Sequence, residues 1–154
     1  MKSYNKKISC LLVGFVLALA LDQVTKYLAV MDLRENGPVI LIKNVFQLQY
    51  LENRGAAFGI MQNRQFFFVV IAALILGIIG YLYSRMYTSH YRMLRICAVL
   101  IASGAVGNMI DRIRLNYVVD FFYFSLIDFP VFNVADCYVV IACIWFACLI
   151  LFYY

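Results

Sequence analysis

Phe66-Phe67-Phe68-Val69-Val70-Ile71-Ala72-Ala73-Leu74-Ile75-Leu76-Gly77-Ile78-Ile79-Gly80-Tyr81-Leu82-Tyr83 runs without a single charged side chain. A helix rises about 1.5 Å per residue, so a run of about 20 apolar residues crosses the roughly 30 Å of bilayer hydrocarbon. Further runs of that kind occupy about 8–30, 94–113 and 134–154. The composition agrees: 66% hydrophobic, 14% charged and a mean hydropathy of +0.87 are far outside the range of a soluble domain. The chain is therefore read as an all-α polytopic membrane protein with four transmembrane helices. Residues 1–154 form a single membrane domain, with outer connections at about 31–65 and 114–133.

The first run begins like a secretory signal peptide, with Lys2, Lys6 and Lys7 before Ile8 and Ala18-Leu19-Ala20 further on. The apolar stretch continues to Val30, which lengthens it to a full span. Orientation follows from Lys and Arg in the flanks. Lys2, Lys6 and Lys7 crowd one flank and Arg85, Arg92 and Arg95 the short second connection, without acidic residues among them. The basic residues of the other two connections are diluted by Asp32, Glu35, Glu52 and Asp128. Both termini are thus expected in the cytoplasm. The net charge of +5 is accounted for by this topology and by anionic membrane lipid, so no nucleic-acid partner is expected.

With that orientation the unusual polar residues collect at one membrane surface. The first span leaves through Asp22, Thr25 and Lys26, the third through Asn108, Asp111 and Arg112, and the fourth re-enters at Asn133 and Asp136. Each of the first two sets has i, i+3, i+4 spacing, which places it on one helix face, expected to point into the bundle. Asp120, within Val118-Val119-Asp120-Phe121-Phe122, and Asp136, within Phe132-Asn133-Val134-Ala135-Asp136, stand at the mouths of hydrophobic segments. A carboxylate is costly to hold there, and two brought together are forced to share a proton. Such a pair can run acid–base chemistry on water.

The long first outer connection calls for structure of its own. Val39–Ile42 and residues 45–50 are strand-like and are separated by Lys43-Asn44, which predicts a small extracytoplasmic β-hairpin or sheet on the membrane. Asn53-Arg54-Gly55-Ala56-Ala57-Phe58-Gly59 follows, a small-residue segment suited to tight backbone and close approach. The second outer connection is rich in Phe and Tyr, side chains that favour the membrane interface.

Other chemistries lack candidates. The single histidine, His90, lies in the basic second connection, away from the polar cluster, so no His-based triad or His-ligated metal is expected. The five cysteines, Cys10, Cys97, Cys137, Cys143 and Cys148, show no C-x-x-C spacing; Cys137 adjoins Asp136 but has no base nearby in sequence. Gly55-Ala56-Ala57-Phe58-Gly59 lacks the lysine of a phosphate-binding loop. No metal and no cofactor is expected.

A purely structural reading competes for part of the cluster. Intramembrane Asp, Asn, Lys and Arg hold helices together through hydrogen bonds, and Asp22 with Lys26 fits that role as well as a functional one. Helix packing does not explain two mutually repelling carboxylates at Asp120 and Asp136. A small proton-coupled transporter using the carboxylates as a relay is the rival from another class. It is weakened by the absence of an internal repeat and by polar residues gathered at one surface.

Asp22-x-x-Thr25-Lys26, Asn53-x-Gly55-x-Ala57-Phe58-Gly59, Gly107-Asn108-x-x-Asp111-Arg112, Val119-Asp120-Phe121 and Phe132-Asn133-x-Ala135-Asp136 together resemble the ordered motif set of the bacterial lipoprotein signal peptidases, or signal peptidases II. Each motif alone is weak, and their order is specific. The resemblance implies an aspartic endopeptidase of the bacterial cytoplasmic (inner) membrane that removes signal peptides from diacylglyceryl-modified prolipoproteins, cutting before the lipidated cysteine. It implies Asp120 and Asp136 as the catalytic dyad near the outer leaflet. Asn53, Asn108, Arg112 and Asn133 would bind substrate or orient the dyad, while Asp22, Lys26, Asp111 and Gly55 would support the site.

Overall fold

The computed structural model describes residues 2–55, 61–86 and 88–153, with side-chain surroundings from Cys10 onward. Ala57, Phe58 and Gly59 of the second motif lie outside the described residues. The helices are α1 (Lys2–Asn36), α2 (Gln65–Arg85), α3 (Arg92–Leu115) and α4 (Val134–Phe152), and the strands are β1 (Val39–Ile42), β2 (Phe46–Asn53) and β3 (Val118–Tyr123). All four helices are long and apolar enough to cross a membrane.

Helix α1 outlasts the expected exit at Val30 and continues to Asn36. The cause is tertiary: Ala29 and Leu33 are buried in one apolar cluster with Val119 and Phe121 of β3, so the sheet covers the turns that have left the hydrocarbon. Arg34 adds its guanidinium over the Tyr50 ring, at 5.8 Å. Gly37, at φ 81°, then takes the left-handed conformation that ends the helix.

The hairpin forms where expected, with Asn44 at φ 58° in the turn and Val45 N–H donating to Ile42 O at 3.0 Å. It is, however, only two-thirds of the sheet. β3 comes from the second outer connection and pairs antiparallel with β2, giving the order β1-β2-β3 with Leu51 opposite Asp120 and Asn53 opposite Val118. That pairing carries β2 on to Asn53, beyond the apolar run ending at Tyr50. Asn116, left-handed at φ 63°, caps α3 by donating to Arg112 O at 3.1 Å and turns the chain into β3. At the other end Phe132 exchanges backbone bonds with Phe122, at 2.8 and 3.0 Å. This clip delivers Asn133 and the start of α4 beneath the middle of β3.

Helix α3 is the hub, packing against α1, α2 and α4. Its approach to α4 is governed by Gly104, where a Cβ would collide with Ala135 O and the Val139 side chain. Gly107 is equally constrained, since a Cβ would run into the Asp22 carboxylate. Helix α2 is the opposite case, with no buried residue along its length.

Candidate functional site

The polar residues of α1 and α3 meet in a buried ionic cluster. Lys26 Nζ lies 3.1 Å from Asp22 Oδ2, 2.9 Å from Asp111 Oδ2 and 2.8 Å from Asn108 Oδ1. Two carboxylates thus share one ammonium, and neutral donors make up the shortfall. Ala135 N–H, in the first turn of α4, donates to Asp22 Oδ1 at 3.0 Å, and Val119 N–H donates to Asp111 Oδ2 at 3.2 Å. The Gln23 amide donates to Asp22 Oδ2 and Asp111 Oδ1, both at 3.1 Å. The cluster therefore bolts α1 and α3 together and fixes both β3 and the first turn of α4 upon them.

Asn108 connects this cluster to the second pair of carboxylates. An ammonium can only donate, so Lys26 holds the Asn108 oxygen toward itself and leaves the amide NH2 free to face Asp136, with Nδ2 2.8 Å from Oδ1. Asn133 makes the corresponding link to Asp120: its Nδ2 lies 2.6 Å from Asp120 Oδ1 and 3.1 Å from Asn108 Oδ1. Asp120 Oδ2 accepts from Asn53 Nδ2 at 2.8 Å, and Asn53 is itself steadied by Gly55 N–H donating to its Oδ1 at 3.0 Å. Asn133 and Asp136 also form the capping box of α4, with Asp136 N–H donating to Asn133 Oδ1 at 3.0 Å and Asn133 N–H to Asp136 Oδ2 at 3.1 Å. The start of a membrane helix and the placing of a carboxylate are here one interaction.

Asp120 and Asp136 both line a cavity of about 470 Å³, with Asn53, Asn108 and Arg112 and with Val140 and Ile141 of α4 also on its wall. Arg112 sets its guanidinium over the Phe68 ring at 4.9 Å, and donates to Asn108 O and Gly55 O, each at 3.3 Å. Among the described residues its Nε has no partner. In this setting the Asp120 carboxyl is pushed up from 3.8 to about 7, first by burial and then by the charge of Asp136, against the bonds from Asn53 and Asn133. A pair of carboxyls holding one proton near neutrality can take a proton from water and give one to a carbonyl.

The structure brings together the sequence-derived candidates Asp22, Lys26, Asn53, Gly55, Asn108, Asp111, Arg112, Asp120, Asn133 and Asp136 through these contacts. Asn133 lies fully buried beneath the cavity instead of on its wall. Thr25 does not join the cluster: its hydroxyl turns back to Leu21 O and Asp22 O of its own helix, both at 2.9 Å. Cys137 lines the cavity. Sequence reasoning passed over Gln23, although an amide inside an apolar run is the signal by which it could be found. It also missed the Asn133-x-x-Asp136 cap spacing, legible as a helix start.

The fold and site define a polytopic membrane protein with a carboxyl pair, one buried and one half-buried, facing a cavity at one end of the helix bundle. The family model of signal peptidase II matches residues 14–152. The lipoprotein signal peptidase of Clostridioides difficile is 41% identical over 138 residues, 90% of this chain and 92% of that protein. That of Caldanaerobacter subterraneus is 45% identical over 142 residues, covering 92% and 94% of the two chains. Two solved bacterial membrane enzyme structures superpose with TM-scores of 0.85 and 0.81 at 30% and 28% identity, over 94% and 96% of this chain and 88% and 96% of theirs. The chain belongs to the signal peptidase II family, and is a multi-pass membrane peptidase.

Proposed function

We propose that this protein is an aspartic endopeptidase that removes the signal peptide from diacylglyceryl-modified prolipoproteins, cutting before the lipidated cysteine, with Asp120 and Asp136 as its dyad. The observation that carries this reading is the direct tethering of the two carboxyls to one another's supports, through Asn133 and Asn108, on the wall of a single cavity. The family supports the peptidase over the proton-coupled transporter.

The pair works as a unit holding one proton. The ionised member takes a proton from water as its oxygen attacks the scissile carbonyl carbon, while the protonated member donates to the carbonyl oxygen. When the tetrahedral intermediate collapses, the C–N bond breaks and the amine nitrogen leaves with a proton from the dyad. Asn53 and Arg112, which line the same cavity, hold the substrate backbone; Asn108 and Asn133 aim the two carboxyls. Asp22, Lys26 and Asp111 support the site by fixing Asn108, and Gly55 by fixing Asn53. The protein sits in the bacterial cytoplasmic membrane with both termini in the cytoplasm and the site near the outer leaflet. Its partners are the lipid-modified precursors and membrane lipid.

The test is cleavage by purified protein of a prolipoprotein peptide with and without diacylglycerol on its lipobox cysteine. Cleavage of the lipidated form alone is expected. Equal rates on both would remove the lipid from the recognition mechanism, and cleavage of neither would remove the function.

A further inference from the structure

Between β3 and α4 the chain makes an excursion, Phe124-Ser125-Leu126-Ile127-Asp128-Phe129-Pro130-Val131, whose two sides face different surroundings. Phe129, Pro130 and Val131 line the cavity opposite Cys137, Val140 and Ile141 of α4. Val140 and Ile141 lie about two turns inside a membrane-length helix and are 56% and 60% exposed, so this flank of the cavity is on the lipid-facing side of the span. The excursion hangs beside that same flank. At its tip Leu126 and Ile127 are 68% and 69% exposed, two large aliphatic side chains left mostly uncovered among the described residues.

The tip is held out instead of trailing. Phe129 N–H donates to Phe124 O at 3.1 Å and Leu126 N–H to Val45 O at 3.4 Å. Below it Phe124 and Phe129 pack their rings on Phe132, at 5.9 and 5.8 Å. Asp128 is the only charged residue in the segment, and its carboxylate accepts from the Tyr123 hydroxyl at 2.6 Å, a bond suited to headgroup depth. An apolar tip, an aromatic base and a carboxylate tied to a tyrosine make the gradient of a segment that dips into a leaflet from the interface.

We propose that residues 124–131 are a membrane-inserted wall of the cavity, with Leu126 and Ile127 among the phospholipid acyl chains of the leaflet on the sheet side. The cavity flank between this wall and α4 then opens onto lipid instead of water.

The test reads depth and not activity, so it stands whether or not the chain cleaves prolipoproteins. Trp145, the single tryptophan, is replaced by phenylalanine, and Ile127→Trp is introduced in that background. The protein is reconstituted in phosphatidylcholine–phosphatidylglycerol vesicles with or without lipids brominated on their acyl chains. Strong quenching by the brominated lipid with protection from aqueous iodide is expected. Quenching by iodide with none by brominated lipid would overturn the proposal. Leu126→Trp, read in the same way, guards against a local effect of one substitution, and the unaltered Trp145 of α4 calibrates quenching within a span.

Discussion

Asp22 and Asp111 on one side of Asn108, and Asp120 and Asp136 on the other, are two pairs of buried or half-buried carboxyls within one network, and they are treated differently. The first pair is bridged by the Lys26 ammonium at 3.1 and 2.9 Å. The second pair has amides for neighbours, from Asn53, Asn133 and Asn108 and the backbone of Asn133. Amides orient a carboxyl without neutralising it. The first pair is thus tied to a counter-charge and serves as scaffold, while the second is held by neutral donors on the cavity wall. The contrast shows how one residue type supplies both the frame and the proposed chemistry within a few ångströms.

The largest effect is expected from breaking the second pair. Asp120→Asn and Asp136→Asn should each lower kcat by roughly 10²–10⁴-fold or more, the scale of general acid–base catalysis, with the protein still folded. Either variant retaining substantial turnover as purified protein would erase the distinction between the pairs.

Removing the cation should break the first pair by a different route. Lys26→Met leaves Asp22 and Asp111 buried without their counter-charge, a loss of about 3–5 kcal/mol of stability, measured by denaturation in micelles. Adding Asp22→Asn should recover part of it. A Lys26→Met protein as stable as the parent would show that the cluster is not the frame.

The proton on Asp120 sharpens the comparison through pH. Its folded-state pKa is raised from 3.8 to about 7, so its contribution to stability is fully present below pH 3.8 and is lost as pH rises through about 7. Activity that needs one proton on the pair should fall over the same upper limb, near pH 7. Asp120→Asn should flatten the stability profile in that window. A parent profile already flat from pH 4 to 8, measured by thermal midpoint, would contradict the raised value.

The smallest effect should come from Cys137, which lines the cavity but bonds to neither pair. Cys137→Ala should keep activity within a few-fold of the parent, with stability changed by less than about 1.5 kcal/mol. Loss of catalysis with the fold retained would install the thiol as nucleophile.

Much of this molecule is legible in the chain because a bilayer permits few solutions. Apolar runs of sufficient length must be helices there, since every backbone polar group has to be satisfied within its own segment. Helical spacing then placed Asp22 with Lys26 and Asn108 with Asp111 and Arg112. Three features depended on contacts between residues far apart in sequence. β3 reads as an aromatic connection until β2 is beside it, and α1 reads as ending at Val30 until Val119 and Phe121 cover Ala29 and Leu33. Which carboxyl receives a cation is the third: Asp111 adjoins Arg112 in sequence, yet its partner is Lys26 on another helix, while Arg112 lies over Phe68. Local pattern reports what each residue would bury, and only the assembled helices and sheet decide against what it is buried.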